Sequence, residues 1–176
     1  MNKLINEEIK YNGKIFKIVQ RQYLNKNNEI YIRDGVLKSN AVVIIAKDDD
    51  DNIYFVRQIR EIIDEETLEL PAGLINEKEE PVQTALRELE EEVGLKANKI
   101  EFLGDYYSSS GFTNERVYAF YASDLSLGKQ NTDEDEEINS IEKIPMEKCF
   151  EMLKNNEFKH ASLNVALSLF FLKKIK

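Results

Sequence analysis

One amphipathic helix with an acidic flank constrains this sequence more than any other feature. From Pro81 onward, apolar residues recur at three- and four-residue intervals, as is typical of a helix with one buried face. They are Val82, Ala85, Leu86, Leu89 and Val93. Gly94 follows and predicts the end of the helix, because glycine readily adopts the left-handed conformation of the C′ position. Glu88, Glu91 and Glu92 fall within an arc of roughly 100° beside this apolar stripe.

The acidic flank is electrostatically unfavourable in two respects. Three carboxylates crowd together beside the buried face. They also lie in the last turns of the helix, where the negative end of the helix dipole disfavours acids by up to about 1 kcal/mol. A divalent cation is the simplest compensation for clustered carboxylates, so the pattern indicates a metal site. The alternative is a solvated acidic face, which many glutamate runs on helices form.

The remaining segments predict a single α+β domain. Segments rich in Val and Ile indicate strands, and residues 146–155 and 161–173 show helical periodicity. The predicted strands cover residues 14–19, 29–36, 41–46, 53–59, 100–103, 116–122 and 138–144. Residues 1–40 are expected to form a small antiparallel extension of the same domain. Residues 41–176 would form its main body, with helices packed on a mainly antiparallel or mixed sheet.

Composition and charge narrow the classes of partner. The formal net charge is −9 without a compensating block of Lys and Arg, which disfavours nucleic acid and anionic membranes. The single cysteine excludes disulfide frameworks and cysteine zinc clusters. The N-terminal residues lack a signal-peptide pattern, and the most apolar segment, 163–172, is far shorter than the roughly 20 residues of a membrane helix. We therefore expect a cytoplasmic protein whose anionic ligands need a local cation.

Three other polar features favour structural roles. The acidic run 48–52 lacks the alternating spacing of a calcium loop, so we interpret it as a hairpin turn. Cys149 lies on a predicted amphipathic helix and is expected in the core. His160 lies near a helix start and is expected to be structural, not a general base. The sequence contains neither a G-x-S-x-G nucleophile elbow nor a Walker A lysine loop.

A longer motif surrounds the acidic helix. It consists of Gly73, five residues, Glu79, seven residues, Arg87-Glu88-Leu89, one residue, Glu91-Glu92, one residue and Gly94-Leu95. This pattern resembles the Nudix box, G-x5-E-x7-R-E-U-x-E-E-x-G-U with U aliphatic, at every specified position. The resemblance to the Nudix family implies an α/β/α sandwich in which the motif forms a loop, a helix and a second loop.

The resemblance also implies roles for the residues of the motif, since the helix glutamates of this family hold Mg²⁺ or Mn²⁺. The implied ligands are Glu88, Glu91, Glu92 and the backbone carbonyl of Ala72. Glu79 and Arg87 are implied to form a supporting pair, in which Arg87 orients the acidic cluster and contributes with Glu88 to catalysis. Phosphoanhydride hydrolysis needs neutralised phosphate oxygens and an activated water, both of which magnesium can supply without a protein nucleophile.

Further stretches resemble the ADP-ribose pyrophosphatase branch of this family. They lie at residues 55–60, 68–73 and 160–163. The resemblance implies that Arg60 and Glu115 line the substrate pocket, with Arg57 as a further candidate. Members are commonly homodimers that exchange N-terminal strands, so Arg33 would reach the site of a neighbouring subunit. For Arg60 and Glu115 the alternative is an ordinary surface salt bridge.

The substrate and the general base are open to alternatives. Residues 109–111 read Ser-Ser-Gly where the branch usually has Ser-Pro-Gly. ADP-ribose is therefore the leading substrate, with other nucleotide sugars or a dinucleotide such as NADH as alternatives. In this branch a glutamate of a late loop polarises the attacking water. The matching acidic loop here is 132–137, in which Glu134 is favoured over Glu136 as the general base. The alternative is that this loop is merely solvated. A weakly hydrolysing nucleotide sensor and a structural Ca²⁺-binding domain are the competing functions, disfavoured by the intact box and the lack of a calcium loop.

Overall fold

The computed structural model describes residues 2–131 and 138–174, which divide into two compact units. The first unit contains the residues up to Asn40 together with residues 107–116. The second contains residues 41–106 and the residues from Val117 onward. The first unit thus combines the predicted N-terminal extension with a segment from the middle of the chain.

Ten strands and three helices occur in the described residues. In chain order they are β1 (Lys3–Asn12), β2 (Phe16–Leu24), β3 (Ile30–Lys38), β4 (Ala41–Ala46), β5 (Asn52–Arg60), β6 (Glu65–Glu69), β7 (Ala72–Leu74), α1 (Pro81–Val93), β8 (Leu95–Tyr107), β9 (Arg116–Leu127), β10 (Ile138–Pro145), α2 (Met146–Lys154) and α3 (Ala161–Lys174).

The first unit contains the antiparallel sheet β1-β2-β3. The Asn25 side chain organises the turn between β2 and β3, since its Oδ1 accepts hydrogen bonds from the backbone N–H groups of Asn27 and Glu29 at 2.8 and 2.9 Å. The predicted antiparallel piece with a polar turn is confirmed. Strand β1 was not predicted, because all ten of its residues are exposed and no alternation of apolar and polar residues marks it.

The second unit contains a mixed sheet in the order β7-β4-β9-β8 and an antiparallel sheet in the order β10-β5-β6. Strand β4 is parallel to β9 and antiparallel to β7. The acidic run forms the tight turn between β4 and β5, where Asp48 Oδ1 accepts hydrogen bonds from the N–H groups of Asp50 and Asn52 at 3.1 and 2.8 Å. The predicted turn is therefore confirmed, but the predicted hairpin is wrong, because β4 and β5 belong to different sheets and meet here at the isolated bridge between Lys47 and Ile53.

Helices cover both faces of β4, because successive side chains of a strand point in opposite directions. Val42, Ile44 and Ala46 pack in one buried cluster with the apolar stripe of α1. Val43 and Ile45 pack in a second cluster with α3. The result is the predicted α+β architecture with a helix on each side of a mixed sheet.

Helix α1 has the predicted limits, which fix the position of its acidic flank. Pro81 occupies the first turn, where a missing N–H costs no hydrogen bond. Gly94 adopts the left-handed conformation, with φ 70° and ψ 28°, and its N–H donates to the Glu90 carbonyl at 2.9 Å. None of the helices among the described residues has the length and apolarity needed to cross a membrane.

Candidate active site

The segment from Glu69 to Leu74 is held firmly against the mixed sheet beside α1. Glu69 ends β6, and three residues later β7 pairs with β4. Between the two strands, the Pro71 carbonyl accepts a hydrogen bond from the Ile44 N–H at 2.8 Å. Leu70 is fully buried in the core. This short segment therefore has a fixed position relative to α1.

Two of the predicted metal-binding glutamates are buried against this segment. Glu92 is 2% exposed, and its Oε2 accepts a hydrogen bond from the Ala72 N–H at 3.2 Å. Glu88 is 6% exposed and lies over Gly73, where an added Cβ would come within 1.9 Å of the Glu88 Oε1. Any side chain at position 73 would displace this carboxylate. Glycine is needed here for the close approach of a carboxylate and not for an unusual backbone angle.

Arg87 contacts three of the acidic residues of the motif. Its Nε and Nη2 atoms donate to the two carboxylate oxygens of Glu79 at 3.1 and 3.2 Å. Its Nη1 lies 2.6 Å from Glu91 Oε2 and 2.8 Å from Glu88 Oε1. Burial opposes the charge of Arg87, but these carboxylates outweigh it and raise the pKa of Arg87 above its ordinary value. The hydrogen bonds from Arg87 in turn lower the pKa of Glu79.

The chemistry of these donors suits a hard divalent cation. The three helix glutamates and the Ala72 carbonyl offer oxygen ligands alone, which Mg²⁺ and Mn²⁺ prefer. Gly73 leaves the space that the Glu88 carboxylate occupies. Within residues 2–131 and 138–174, no three His, Cys, Asp or Glu side chains are arranged to hold an ion. Arg87 engages Glu88 and Glu91, so a cation would share these two carboxylates with the guanidinium.

A distant segment closes the C-terminal end of α1. The N–H groups of Gly128 and Asn131 donate to the carbonyls of Gly94 and Glu91 at 2.8 and 3.0 Å. The Gln130 Nε2 donates to the Glu92 carbonyl at 2.9 Å. No local sequence pattern predicts this attachment, because carbonyl groups at a helix end accept donors from any part of the chain.

The predicted general bases follow that segment directly. Glu134 and Glu136 both belong to residues 132–137, which lie outside the described residues. On the far side of the loop, Ile138 begins β10 and pairs with Gln58 of β5. The residues before the loop are therefore bound to the end of α1, and the residues after it are paired with β5.

A third buried acidic residue, Glu69, was not predicted from the sequence. Arg60 binds it with two hydrogen bonds, Nε to Oε1 and Nη2 to Oε2, both 2.7 Å. The Thr67 hydroxyl donates to Oε1 at 2.6 Å, and His160 Nε2 lies 3.3 Å from Oε2. Burial opposes ionisation of Glu69, but the hydrogen bonds from Arg60 and Thr67 outweigh it and lower the pKa of this carboxyl. The predicted Arg60 is thus joined to Glu69.

Arg57 lies on the opposite face of β5 from Arg60, because the two positions are three residues apart in a strand with a period of two. It forms ion pairs with Glu142 and, at 3.6 Å, with Glu66. These are cross-strand contacts to β10 and β6.

The two predicted pocket residues of the first unit also have partners. Glu115 forms an ion pair with Lys38 at 2.6 Å. Arg33 lies over the Tyr31 ring, with its guanidinium carbon 4.7 Å from the ring centre, and donates to the Ile32 carbonyl at 2.9 Å. Both residues belong to the first unit.

Cys149 has the structural position that was predicted. Its side chain is fully buried in the cluster that includes α3, and its Sγ lies 3.6 Å from the Ile144 carbonyl oxygen. Burial raises the pKa of the Cys149 thiol to about 12. The thiol therefore stays protonated and is a poor nucleophile.

Comparison with known proteins gives a consistent assignment. A family model described as NUDIX domain matches residues 37–164. The chain is 33% identical over 173 residues to an ADP-ribose pyrophosphatase of Bacillus subtilis (strain 168), which covers 97% of this chain and 93% of the relative. It is 30% identical over 168 residues to a methanol dehydrogenase activator of Bacillus methanolicus, covering 94% and 90%. A crystal structure of an ADP compounds hydrolase superposes with a TM-score of 0.84 at 23% identity, covering 98% and 95%, which confirms the expected sandwich fold.

The pKa of His160 predicts a loss of stability in mild acid. Burial lowers this pKa below the ordinary value of about 6.5 and outweighs the attraction of Glu69. Below about pH 6.5 the unfolded chain therefore binds more protons than the folded chain, and folding becomes less favourable as the pH falls. The free energy of unfolding, measured in urea, should decrease from about pH 7 to about pH 5, and it should decrease less in His160→Asn. An equal decrease in both proteins would exclude His160 as the group responsible.

Proposed function

Because this chain belongs to the Nudix hydrolase family, we propose that it hydrolyses the pyrophosphate bond of ADP-ribose to AMP and ribose 5-phosphate. The proposal is supported above all by the burial of the Glu88 and Glu92 carboxylates against Ala72 and Gly73 of β7. Buried carboxylates are costly unless they are compensated, and they are here combined with a complete motif. The name of the Bacillus subtilis relative, which is similar over nearly the whole chain, supports ADP-ribose as the substrate.

The proposed reaction needs one water and no covalent intermediate with the protein. Water attacks one phosphorus of the diphosphate and gives a proton to the general base, the bridging P–O bond breaks, and the departing phosphate takes the electron pair. A divalent ion, Mg²⁺ with Mn²⁺ as an alternative, would neutralise phosphate oxygens and lower the pKa of bound water. Arg60 would contribute guanidinium N–H groups to phosphate oxygens, in addition to the two hydrogen bonds that it donates to Glu69.

The residues of the motif would have two roles, binding the ion and orienting its ligands. Glu88, Glu91, Glu92 and the Ala72 carbonyl would supply the ligands. Arg87 contacts Glu88 and Glu91 and so reduces their mutual repulsion before an ion binds. We assign Arg87 to orientation of the cluster for this reason, and Glu88 to catalysis as an ion ligand.

For the general base we propose Glu134, with Glu136 as the alternative. Asn131 supports the assignment, because its N–H is bound to the Glu91 carbonyl at 3.0 Å. Glu134 follows three residues later, a separation that an extended chain covers in about 10 Å. This separation supports a glutamate of the loop as the group that would accept a proton from water near the acidic flank of α1.

The first unit supports a proposed homodimer. Ile18, Ile30 and Ile32 are 36%, 62% and 49% exposed, and the register of β2 and β3 puts them on one face of the sheet. The pair Gln20–Asp34 separates Ile18 from the other two, so the exposed apolar patch consists of Ile30 and Ile32, and such patches are typical of an interface. Arg33 and Glu115 belong to the same unit and would be candidates for contact with the substrate in the dimer.

The single cysteine fits a reducing compartment, and we propose the cytoplasm as the site of action.

The oligomeric state can be tested by analytical ultracentrifugation. We expect a dimer for the wild type, and a monomer for the double variant Ile30→Lys, Ile32→Lys, because two charges would be buried at the interface. Ile62→Lys is the matched control, since Ile62 is 99% exposed in the turn between β5 and β6 of the second unit. A monomeric wild type would refute the proposed dimer.

The substrate proposal is tested with a panel of ADP-ribose, other nucleotide sugars, NADH and diadenosine polyphosphates. Products are identified by mass with Mg²⁺, with Mn²⁺ and with a chelator. We expect the highest kcat/KM for ADP-ribose, products of AMP and ribose 5-phosphate, and no turnover with the chelator. Hydrolysis of another compound would correct the substrate, and binding without turnover of any compound would identify a nucleotide sensor.

Glu92→Gln should lower kcat by more than about 100-fold while the protein remains folded, because even outer residues of metal sites change affinity or activity by 10- to 100-fold. Glu90→Gln is the matched control. It removes the same charge from the same helix. Glu90 accepts a hydrogen bond from the Lys129 N–H, forms an ion pair with Lys96 and lies outside the proposed ligand set. Turnover of Glu92→Gln close to that of Glu90→Gln would contradict the assignment.

A further inference from the structure

The buried cluster around Glu69 has a feature that stability alone does not explain. Glu69 is 1% exposed at its side chain, whereas its partner Arg60 is 45% exposed. A buried ion pair is weak evidence for stability, since well-packed apolar residues in its place are often equally stable. Yet three polar groups, from Arg60, Thr67 and His160, are organised around this carboxylate, and the Arg60 guanidinium reaches the surface. The cluster therefore orients an exposed group from beneath.

The strands supply three of the four members of this cluster. In the register of β5 and β6, Arg60 is opposite Glu65 and Gln58 is opposite Thr67. The alternation of side chains then puts Arg60, Thr67 and Glu69 on one face of the sheet. Because Arg60 is the last residue of β5, its long side chain would otherwise sample several rotamers.

The hydrogen bonds remove much of this freedom. Two parallel N–H to oxygen bonds of 2.7 Å fix both the direction and the plane of the Arg60 guanidinium. The Thr67 hydroxyl, at 2.6 Å from Oε1, and His160 Nε2, at 3.3 Å from Oε2, hold the carboxylate itself. Glu69 thus has polar contacts on both of its oxygens, and its orientation is set by groups other than Arg60.

The position of Glu69 in the chain connects Arg60 to the acidic helix. Glu69 precedes the Ala72 N–H by three residues, and this N–H is bound to the buried Glu92 carboxylate. The intervening residues are fixed by burial of Leu70 and by the Pro71 carbonyl, which accepts from Ile44. One short rigid segment therefore holds Glu69 at one end and meets Glu92 at the other.

We propose that Glu69 is a positioning residue, which holds the Arg60 guanidinium at a fixed place relative to the α1 carboxylates so that both act on one diphosphate. This inference rests on the proposed function. A displacement of about 1 Å between groups that hold a reacting substrate can cost about 100-fold in rate. Glu69 acts through Arg60 and has no contact with the substrate.

The decisive experiment is a double-mutant cycle in kcat/KM for ADP-ribose. Glu69→Gln should lower kcat/KM by at least about tenfold in the wild type, because a neutral amide cannot accept both hydrogen bonds of the fork. In an Arg60→Met background the same change should alter kcat/KM by less than about twofold, because the group that Glu69 positions is gone. Glu66→Gln, which removes a charge from the other face of β6, is the matched control.

Arginine side-chain NMR provides a readout that does not depend on turnover. The ¹⁵Nε signal of Arg60, assigned from its disappearance in Arg60→Met, should show restricted motion in the wild type and fast averaging in Glu69→Gln. Thr67→Val is a second variant in case Glu69→Gln does not fold. It removes one bond to Glu69 and should produce a smaller loss of kcat/KM with the same dependence on Arg60.

The outcomes separate this inference from the proposed function. Equal losses of kcat/KM from Glu69→Gln in both backgrounds, or an Arg60 signal of unchanged mobility, would overturn the positioning role and leave the hydrolase assignment intact. A wild-type protein that hydrolyses no compound of the panel would overturn the proposed function and, with it, this inference. Losses confined to the background that retains Arg60 would support the proposal.

Discussion

The neutralisation of buried carboxylates is the constraint on which the rest of this structure depends. Glu88 and Glu92 of α1 are buried against β7, and Glu69 is buried at the end of β6. Each such group costs several kcal/mol unless it is paired. Arg87 pairs with Glu88, the Ala72 N–H donates to Glu92, and Arg60 pairs with Glu69. The two arginines allow a globular core to carry acidic residues at its edge, which an enzyme acting on phosphates can then share with cations.

The sandwich architecture places these groups by means of a single central strand. Strand β4 directs alternate side chains to α1 and to α3, and its edge pairs with β7. Ala72 and Gly73 belong to β7, so the segment that approaches the acidic helix is part of the sheet and not a free loop. The close approach at Gly73 follows, because the sheet and the helix are held at a fixed separation.

The sequence predicted α1 and its limits well, since an apolar stripe and a terminal glycine are local signals. It did not predict β1, whose residues are all exposed, or the attachment of Gln130 to α1, which depends on tertiary contact. The burial of Glu69 had no local signal either, because a glutamate in a short strand looks like a surface residue. Strand periodicity predicts opposite orientations for Arg57 and Arg60, yet the resemblance implied that both lie in the substrate pocket.

The closure of α1 by residues 128–131 has a consequence for how this region opens. Carbonyls of the last turn are occupied by donors that lie more than thirty positions further along the chain. The end of the helix therefore cannot fray on its own, as most helix termini do. Unwinding of the last turn of α1 and detachment of residues 128–131 therefore form one cooperative event. The amide protons of both segments would exchange with solvent together.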